Sequence, residues 1–145
     1  MSGIGISSTN CVEEFLDKSC PLIDARSPKE FEKGHWPGAI NLPLLTDHER
    51  VLIGTSYKQE GRKEAVLLGL KLIGPNLQKI TEKLKNVIPQ ELSNSEGTQH
   101  KELRIYCWRG GMRSSSLAWL ANLHGIDVHL LQGGYKAYRR WGLTQ

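Results

Sequence analysis

The fold of this chain is decided by one short stretch, Arg104-Ile105-Tyr106-Cys107-Trp108-Arg109-Gly110-Gly111-Met112-Arg113-Ser114. The apolar residues before the cysteine predict a strand at Leu103–Tyr106, and the serine that ends the stretch predicts a helix from about Ser114 to His124. A strand, a glycine-rich turn and a helix in that order are typical of α/β proteins, which bind ligands at the carboxyl ends of parallel strands. The stretch therefore predicts both a fold class and a ligand site at Cys107.

The rest of the chain repeats this alternation of short apolar segments and helical segments. Leu44–Pro89 carries apolar residues at helical spacing, whereas Gln90–Lys101 is polar and aperiodic and predicts a surface loop. Further strands are expected at Pro21–Ala25, Ala39–Leu42 and Val128–Leu131. Ser27, Pro28 and Glu30 predict a helix start, with Ser27 as its cap and Glu30 in its first turn. We therefore predict an α/β fold with a central, mostly parallel sheet flanked by helices on both faces, forming a single domain over residues 1–145.

The composition narrows the class of protein. Hydrophobic residues make up 39% of the chain and charged residues 23%, as in ordinary soluble globular proteins. No apolar run approaches the roughly 18 residues of a membrane helix, and the N-terminal residues lack a secretory profile, so we expect a cytoplasmic protein with no membrane span. Three cysteines without a C-x-x-C pair argue against a disulfide framework and a metal site. The net charge of +4 is compatible with RNA or another anionic partner but does not require one.

Cys107 is the best candidate for chemistry. Gly110 and Gly111 allow the backbone after the cysteine to curl tightly, through dihedral angles that a side chain would forbid. Several amide N–H groups could then face the sulfur, and the helix beginning at Ser114 would add the positive end of its dipole. Such a cradle favours the thiolate, and it would also stabilise a persulfide or perselenide anion on the same sulfur.

Three blocks of the sequence resemble the rhodanese superfamily. They are residues 22–43 (LIDARSPKEFEKGHWPGAINLP), the Cys107 loop, and residues 133–138 (GGYKAY) after the last predicted strand. The resemblance covers most of the chain. It implies a rhodanese-like fold and a transferase that carries sulfur on the loop cysteine.

Two segments resemble the tRNA 2-selenouridine synthase family more specifically, namely residues 107–114 (CWRGGMRS) and 49–61 (ERVLIGTSYKQEG). The resemblance implies that Cys107 takes selenium from selenophosphate for the conversion of wobble 2-thiouridine to 2-selenouridine in tRNA. A sulfane-sulfur donor as co-substrate would instead place sulfur on the same cysteine. Either element remains open as the cargo, and no bound cofactor is expected. That family has a second, C-terminal domain with a P-loop, but this sequence contains no Gly-x-x-x-x-Gly-Lys-Ser/Thr motif. We therefore expect the P-loop domain to act in cis or in trans, and this chain to be part of a larger tRNA-modifying enzyme.

The candidate site residues fall into four groups. Cys107 is the catalytic candidate. The anion- and substrate-binding loop comprises Trp108, Arg109, Gly110, Gly111, Met112, Arg113 and Ser114, whose two arginines would hold an anionic donor. A predicted ion pair between Asp24 and Arg26 would support the loop. Candidates for contact with tRNA or with the second domain are Arg50, Tyr57, Lys58, Gln59, Lys136, Arg139 and Arg140.

Two alternatives from other functional classes remain open at this stage. Cys107 and Arg113 also satisfy the C-x5-R pattern of cysteine phosphatases, in which a thiolate attacks phosphorus and the arginine binds phosphate oxygens. Tyr106 stands where those enzymes usually have histidine, and Met112 is bulky for a compact phosphate loop, so this alternative is weaker. A non-catalytic docking module with a rhodanese-like fold is the second alternative, and retention of the cysteine argues against it.

Overall fold

The computed structural model describes residues 5–88 and 101–145. Apart from Lys101, the predicted surface loop at residues 90–101 therefore lies outside the described residues. In the described part of the chain, no helix is both long and apolar enough to cross a membrane.

Five parallel strands form one sheet in residues 5–88 and 101–145. They are β1 (Ile6–Thr9), β2 (Leu22–Asp24), β3 (Ile40–Asn41), β4 (Glu102–Tyr106) and β5 (Asp127–Leu131). Their order across the sheet is β1-β5-β4-β2-β3. Strand β4 is central, and its Ile105 pairs with Ile23 on one side and Leu130 on the other. The predicted parallel sheet is thereby confirmed.

Within the residues that the structure describes, seven helices surround the sheet. They are α1 (Val12–Leu16), α2 (Pro28–Lys33), α3 (Asp47–Glu60), α4 (Arg62–Ile73), α5 (Leu77–Val87), α6 (Met112–Leu123) and α7 (Gly134–Leu143), with a 3₁₀ turn at Gly74–Asn76 between α4 and α5. One core joins the sheet to α5 and α6, and a second core joins the opposite face to α1 and α7. Helices on both faces leave little apolar strand surface exposed, which is the usual condition for a parallel sheet.

Local signals explain where the helices near the site begin. Ser27 precedes α2, and the carboxylate of Glu30 accepts hydrogen bonds from the Ser27 amide (3.1 Å) and hydroxyl (2.9 Å). Pro28 occupies the first helical position, where its missing N–H is no loss. Helix α3 begins with a reciprocal capping box, because the Thr46 hydroxyl accepts from the Glu49 amide and the Glu49 carboxylate accepts from the Thr46 amide.

The strands that were predicted differ from the observed ones by only one residue at an end, but a missed strand and an earlier helix start are larger differences. Strand β1 was not predicted, because it has only four residues and three of them are Ser or Thr. It is held in the strand conformation by pairing with β5 at the edge of the sheet. Helix α6 begins at Met112 rather than Ser114, with Gly111 as its N-cap residue. The earlier start places Ser114 inside the first turn, where its side chain can reach back toward the strand end.

Candidate active site

The Cys107 loop lies at the carboxyl edge of the sheet, directly after the central strand β4. Residues that follow the two neighbouring strands, Ala25 after β2 and Gln132 after β5, flank it at the same edge. This is the edge at which parallel α/β sheets bind ligands, as the sequence predicted for the cysteine.

The sulfur of Cys107 is almost fully buried and has two polar neighbours. The side chain is 2% exposed and belongs to the core on the α5 and α6 side of the sheet. The amide of Gly111 donates a hydrogen bond to Sγ at 3.2 Å, and the hydroxyl of Ser114 lies 3.2 Å from the same atom. The sequence led us to expect a sulfur at the rim of the loop with several inward amides. Instead, the structure shows a buried sulfur with one amide and one hydroxyl, because α6 starts earlier and packs directly over it.

Two loops cross in close contact beside the cysteine, and glycines permit the crossing. Gly110 has a φ of +72°, and a Cβ there would lie 2.8 Å from the carbonyl oxygen of Leu131. Gly134 has a φ of +54°, and a Cβ there would collide with the carbonyl oxygen of Cys107. Gly111, in contrast, has a negative φ of −94° and open space at its Cβ position. Of the two loop glycines, only Gly110 therefore requires the absence of a side chain, and Gly111 contributes its amide.

The first turn of α7 holds the backbone of the reactive segment. The amide of Tyr135 donates to the carbonyl of Cys107 at 2.8 Å, and the amide of Lys136 donates to the carbonyl of Trp108 at 3.0 Å. These are free amides at a helix start, where the chain itself offers no acceptor. The direction of the two peptide groups that follow Cys107 is thus set by the first turn of α7.

Glu30 connects the loop to α2 and α3. Its carboxylate lies 2.6 Å from Nη1 of Arg113 and 3.7 Å from Nε of Arg50. Burial alone would raise the pKa of Glu30, but the hydrogen bond and positive charge of Arg113, together with the hydrogen bonds from Ser27, outweigh it and lower this pKa to about 2. The guanidinium of Arg113 is therefore engaged by a carboxylate that the sequence suggested only as a helix-capping residue.

The predicted ion pair between Asp24 and Arg26 forms at the end of β2. Nη2 of Arg26 lies 2.8 Å from the carboxylate, and both side chains are buried. The same nitrogen donates to the carbonyl of Gly34 at 2.7 Å, and the guanidinium carbon lies 4.1 Å from the ring centre of Tyr135. Burial would lower the pKa of Arg26, but the hydrogen bond and charge of Asp24 raise it. The pair braces α7 and the turn after α2 beneath the loop.

In the described part of the chain, two cavities adjoin the loop. The first, of about 400 Å³, lies between α3, α4 and the start of α6, and is mostly apolar; it includes Tyr57, Leu70, Gly111 and Met112 in its lining. The second, of about 600 Å³, is polar and basic. We call it the basic cleft, and its lining is Arg26, Glu30, Lys33, Gly34, Arg50, Trp108, Tyr135 and Arg139.

Each of the remaining candidate site residues lies either in one of the two cavities or outside both. Arg109 is exposed on the outer part of the loop. Tyr57 belongs to the apolar cavity, whereas Lys58 and Gln59 are exposed at the end of α3. On α7, Arg139 lines the basic cleft, and Lys136 and Arg140 do not.

Sequence reasoning missed three residues near the loop, namely Glu30, Lys33 and Gly134. Glu30 and Lys33 lie more than seventy residues before the loop in the chain, and only the fold brings them to it. The glycine pair at 133 and 134 was visible as a turn, but its contact with the Cys107 carbonyl was not. Among the described residues, no three His, Cys, Asp or Glu side chains lie together as a metal site would require.

The other two cysteines lack a comparable setting. Cys11 is exposed, and Cys20 is half-buried at the end of the segment after α1. Burial raises the pKa of the Cys20 thiol, which opposes formation of its thiolate. Cys107 is therefore the cysteine whose sulfur has donor groups in contact.

Comparison with known proteins agrees with this geometry. The Rhodanese-like domain model matches residues 8–140. A tRNA 2-selenouridine synthase from Psychromonas ingrahamii is 42% identical over 127 residues, which cover 88% of this chain and 32% of the relative. A second, from Pseudomonas fluorescens, is 44% identical over 138 residues, which cover 94% of this chain and 35% of the relative. The chain thus spans about a third of the length of these relatives.

A solved structure is similar over almost its whole length. It is the N-terminal domain of a protein from Clostridium difficile 630 that is named for ATP/GTP binding. Its sequence is 32% identical, the match covers 95% of this chain and 98% of that one, and the TM-score is 0.78. With a parallel α/β sheet, a cysteine at the end of its central strand and a family model that matches nearly all of its length, this chain belongs to the rhodanese-like domain family and is homologous to the tRNA 2-selenouridine synthases.

Proposed function

We propose that this chain carries sulfur or selenium on Cys107, and that it serves as the rhodanese part of a tRNA 2-selenouridine synthase. The observation that carries the proposal is the contact of Sγ with the Gly111 amide and the Ser114 hydroxyl at the end of β4. Relatives that share 42–44% of their residues with this chain and bear that enzyme's name support the wider activity.

The loading step can be written in full for thiosulfate. The Cys107 thiol first loses its proton to solvent, and the thiolate then attacks the outer sulfur of thiosulfate. A new S–S bond forms on Sγ, the S–S bond of thiosulfate breaks, and sulfite leaves with the bonding electron pair. The product is a persulfide anion, whose terminal sulfur needs hydrogen-bond donors in place of water.

Ser114 is suited to respond to the change in charge. Its hydroxyl lies 3.2 Å from the Gly111 carbonyl as well as 3.2 Å from Sγ. Because a hydroxyl rotates freely, its proton can face the carbonyl while the thiol is protonated and turn to sulfur once the thiolate forms. The Gly111 amide donates to the sulfur in either state.

The burial of Cys107 bears on the route by which a donor would reach the sulfur. The cysteine is 2% exposed, whereas residues 109–112 above it are exposed, so a donor reaches Sγ when this loop moves aside. A compound that transfers zero-valent sulfur or selenium is the proposed co-substrate for loading Cys107. Selenium in selenophosphate is already at the selenide level, so a perselenide made from it would need a two-electron oxidant. Thiosulfate and selenosulfate, which transfer the zero-valent atom, are therefore the donors for a first test.

The phosphatase alternative is weakened by the partner of Arg113. A C-x5-R phosphatase needs this guanidinium for the oxygens of its substrate. Here the carboxylate of Glu30 lies 2.6 Å from it, and an incoming phosphate would have to displace that carboxylate.

The test is intact-mass measurement after incubation with thiosulfate or selenosulfate, followed by removal of the donor. We expect one added sulfur or selenium atom on the wild-type chain, the same addition on Cys11→Ser and Cys20→Ser, and none on Cys107→Ser. Addition that survives in Cys107→Ser would refute the assignment. Turnover of a phosphate ester that depends on Cys107 would favour the phosphatase instead.

The complete tRNA reaction is proposed for a larger assembly. The curated relatives are about three times as long as this chain, and the solved relative is the N-terminal domain of a protein named for ATP/GTP binding. Both support a P-loop domain, in cis or in trans, as the partner. Mixing the chain loaded with selenium from selenosulfate with that domain and a 2-thiouridine tRNA should yield 2-selenouridine, detected by nucleoside mass spectrometry. Absence of this product with the wild-type chain, or an equal yield with Cys107→Ser, would contradict this part.

A further inference from the structure

The basic cleft next to the Cys107 loop has the composition of a nucleotide site. Its lining contains four cationic side chains and one carboxylate, together with the aromatic rings of Trp108 and Tyr135. Its volume of about 600 Å³ is within the usual range of small-molecule sites. Cationic groups that follow a phosphate backbone, interleaved with aromatic rings on which bases stack, are the common features of single-strand binding.

The charges in the cleft are only partly compensated. Arg26 is paired with Asp24, and the carboxylate of Glu30 is shared between Arg113 and Arg50. Within residues 5–88 and 101–145, no carboxylate lies in ion-pair distance of Lys33 or Arg139. The cleft therefore presents positive charge that an anion would neutralise.

Arg50 gives a second and independent indication of a missing acceptor. Its Nε is buried but has no hydrogen-bond partner among the described residues. The nearest carboxylate oxygen, on Glu30, is 3.7 Å away, which is too long for a hydrogen bond. A buried donor without an acceptor is costly, and the Arg50 side chain as a whole is 39% exposed, so the rest of its guanidinium is open to an anion in the cleft.

The position of the cleft separates it from the reacting atom. Trp108 follows Cys107 directly, but its ring faces Tyr135 of α7 at a centre-to-centre distance of 6.2 Å, whereas the sulfur of Cys107 belongs to the core on the other face of the sheet. A base stacked on Trp108 would thus lie beside the sulfur and not over it.

We propose that the basic cleft binds a nucleotide of single-stranded RNA that flanks the reacting one, with its base on Trp108 and its phosphate on Lys33, Arg50 and Arg139. The identity of the polymer rests on the proposed function, in which tRNA is the substrate. Because the bound nucleotide is a neighbour of the reacting one, binding needs neither a thiolated base nor a charged sulfur. An unmodified loop sequence is therefore sufficient as a ligand.

The test uses the 145-residue chain with the Cys107→Ser change, so that sulfur loading plays no part. Binding of a fluorescein-labelled, unmodified oligouridylate is followed by anisotropy over a range of salt concentrations. We expect Trp108→Leu to weaken binding about 5- to 150-fold, the range found when one base–aromatic stack is removed. We expect the double variant Lys33→Gln/Arg139→Gln to lower the slope of log K against log[salt] by about 1.4, since each contact with a single strand contributes about 0.7.

The controls decide between the cleft and a general effect of charge. Lys29→Gln/Lys83→Gln removes the same charge from exposed positions on α2 and α5 outside the cleft, and should keep the wild-type salt slope. Thermal unfolding of each variant verifies that it is folded. Equal salt slopes for the two double variants, or unchanged affinity in Trp108→Leu, would overturn the proposal. Displacement of the RNA by equimolar inorganic phosphate, or tighter binding of duplex RNA than of the single strand, would overturn it as well.

This result is separable from the loading experiment. If the wild-type chain gains a sulfur on Cys107 while the cleft variants bind RNA normally, the inference fails and the proposed carrier function remains. If Cys107 stays unloaded while RNA binding depends on Lys33, Arg139 and Trp108, the cleft is an RNA site and the carrier function fails.

Discussion

Replacing Glu30 with glutamine removes the negative charge that links the Cys107 loop to α2 and α3. The side chain keeps its size and can still accept the hydrogen bond from the Ser27 amide, so the change is mainly electrostatic. The difference between the ordinary pKa of a glutamate, 4.5, and a pKa of about 2 corresponds to about 3 kcal/mol of stability. Glu30 is 26% exposed, and screening by solvent reduces this figure, so we expect Glu30→Gln to lower the free energy of unfolding by about 2 kcal/mol near pH 7.

The pH dependence gives the sharper measurement. Because the pKa of Glu30 is lowered in the folded state, its contribution is fully present above about pH 4.5 and is lost as the pH falls toward 2. Urea unfolding of the wild type and of Glu30→Gln at several pH values should therefore show a difference that shrinks across this interval and disappears below it. Glu32→Gln, an exposed carboxylate on the same helix, should change stability by less than about 0.5 kcal/mol. A difference between wild type and Glu30→Gln that is zero, or that is constant from pH 7 to pH 2, would refute the ion pair as a source of stability.

Three further predictions test the surroundings of the sulfur. Gly134→Ala should destabilise the chain by more than about 3 kcal/mol, because the backbone there has a positive φ and the added Cβ would collide with the carbonyl oxygen of Cys107. Gly142→Ala, in a helix with open space at this position, should stabilise the chain by about 0.5–1 kcal/mol. Thermal unfolding of both variants checks this. Ser114→Ala should slow sulfur loading about two- to tenfold, as expected for the loss of one hydrogen bond. The Ser115 hydroxyl donates only to backbone carbonyls, so Ser115→Ala should load at the wild-type rate in a timed mass measurement. Asp24→Asn should cost about 3–5 kcal/mol in urea unfolding because it leaves a buried guanidinium without its carboxylate, and a loss below 1 kcal/mol would contradict the bracing role of this pair.

Much of the fold was predictable because it follows local patterns. Apolar segments bounded by turn residues indicated β2, β3, β4 and β5, and the Ser27-Pro28 start indicated α2. Strand β1 was missed because its residues carry little strand preference, and its partner β5 is more than a hundred residues away in the chain. Pairing between distant segments is a property of the folded chain and leaves no local signal.

The site was predictable in the identity of its residues but not in their arrangement. The strand, cysteine and glycines identified Cys107, and the burial of its sulfur followed only once α6 was found to begin at Met112. Glu30 was visible as a helix-capping residue, yet its contact with Arg113 joins residues that are 83 positions apart. The basic cleft likewise collects side chains from α2, α3, α7 and the loop, so no single stretch of sequence could reveal it.

The hydrogen bonds from α7 to the Cys107 loop also determine the stage of folding at which the site can form. The amides of Tyr135 and Lys136 orient the carbonyls of Cys107 and Trp108, so the peptide groups around the sulfur have their partners only after α7 has been made. During synthesis a ribosome would release Cys107 from its exit tunnel well before α7. In the nascent chain the carbonyls of Cys107 and Trp108 would still face water, and the site would be complete only when α7 packs beside it.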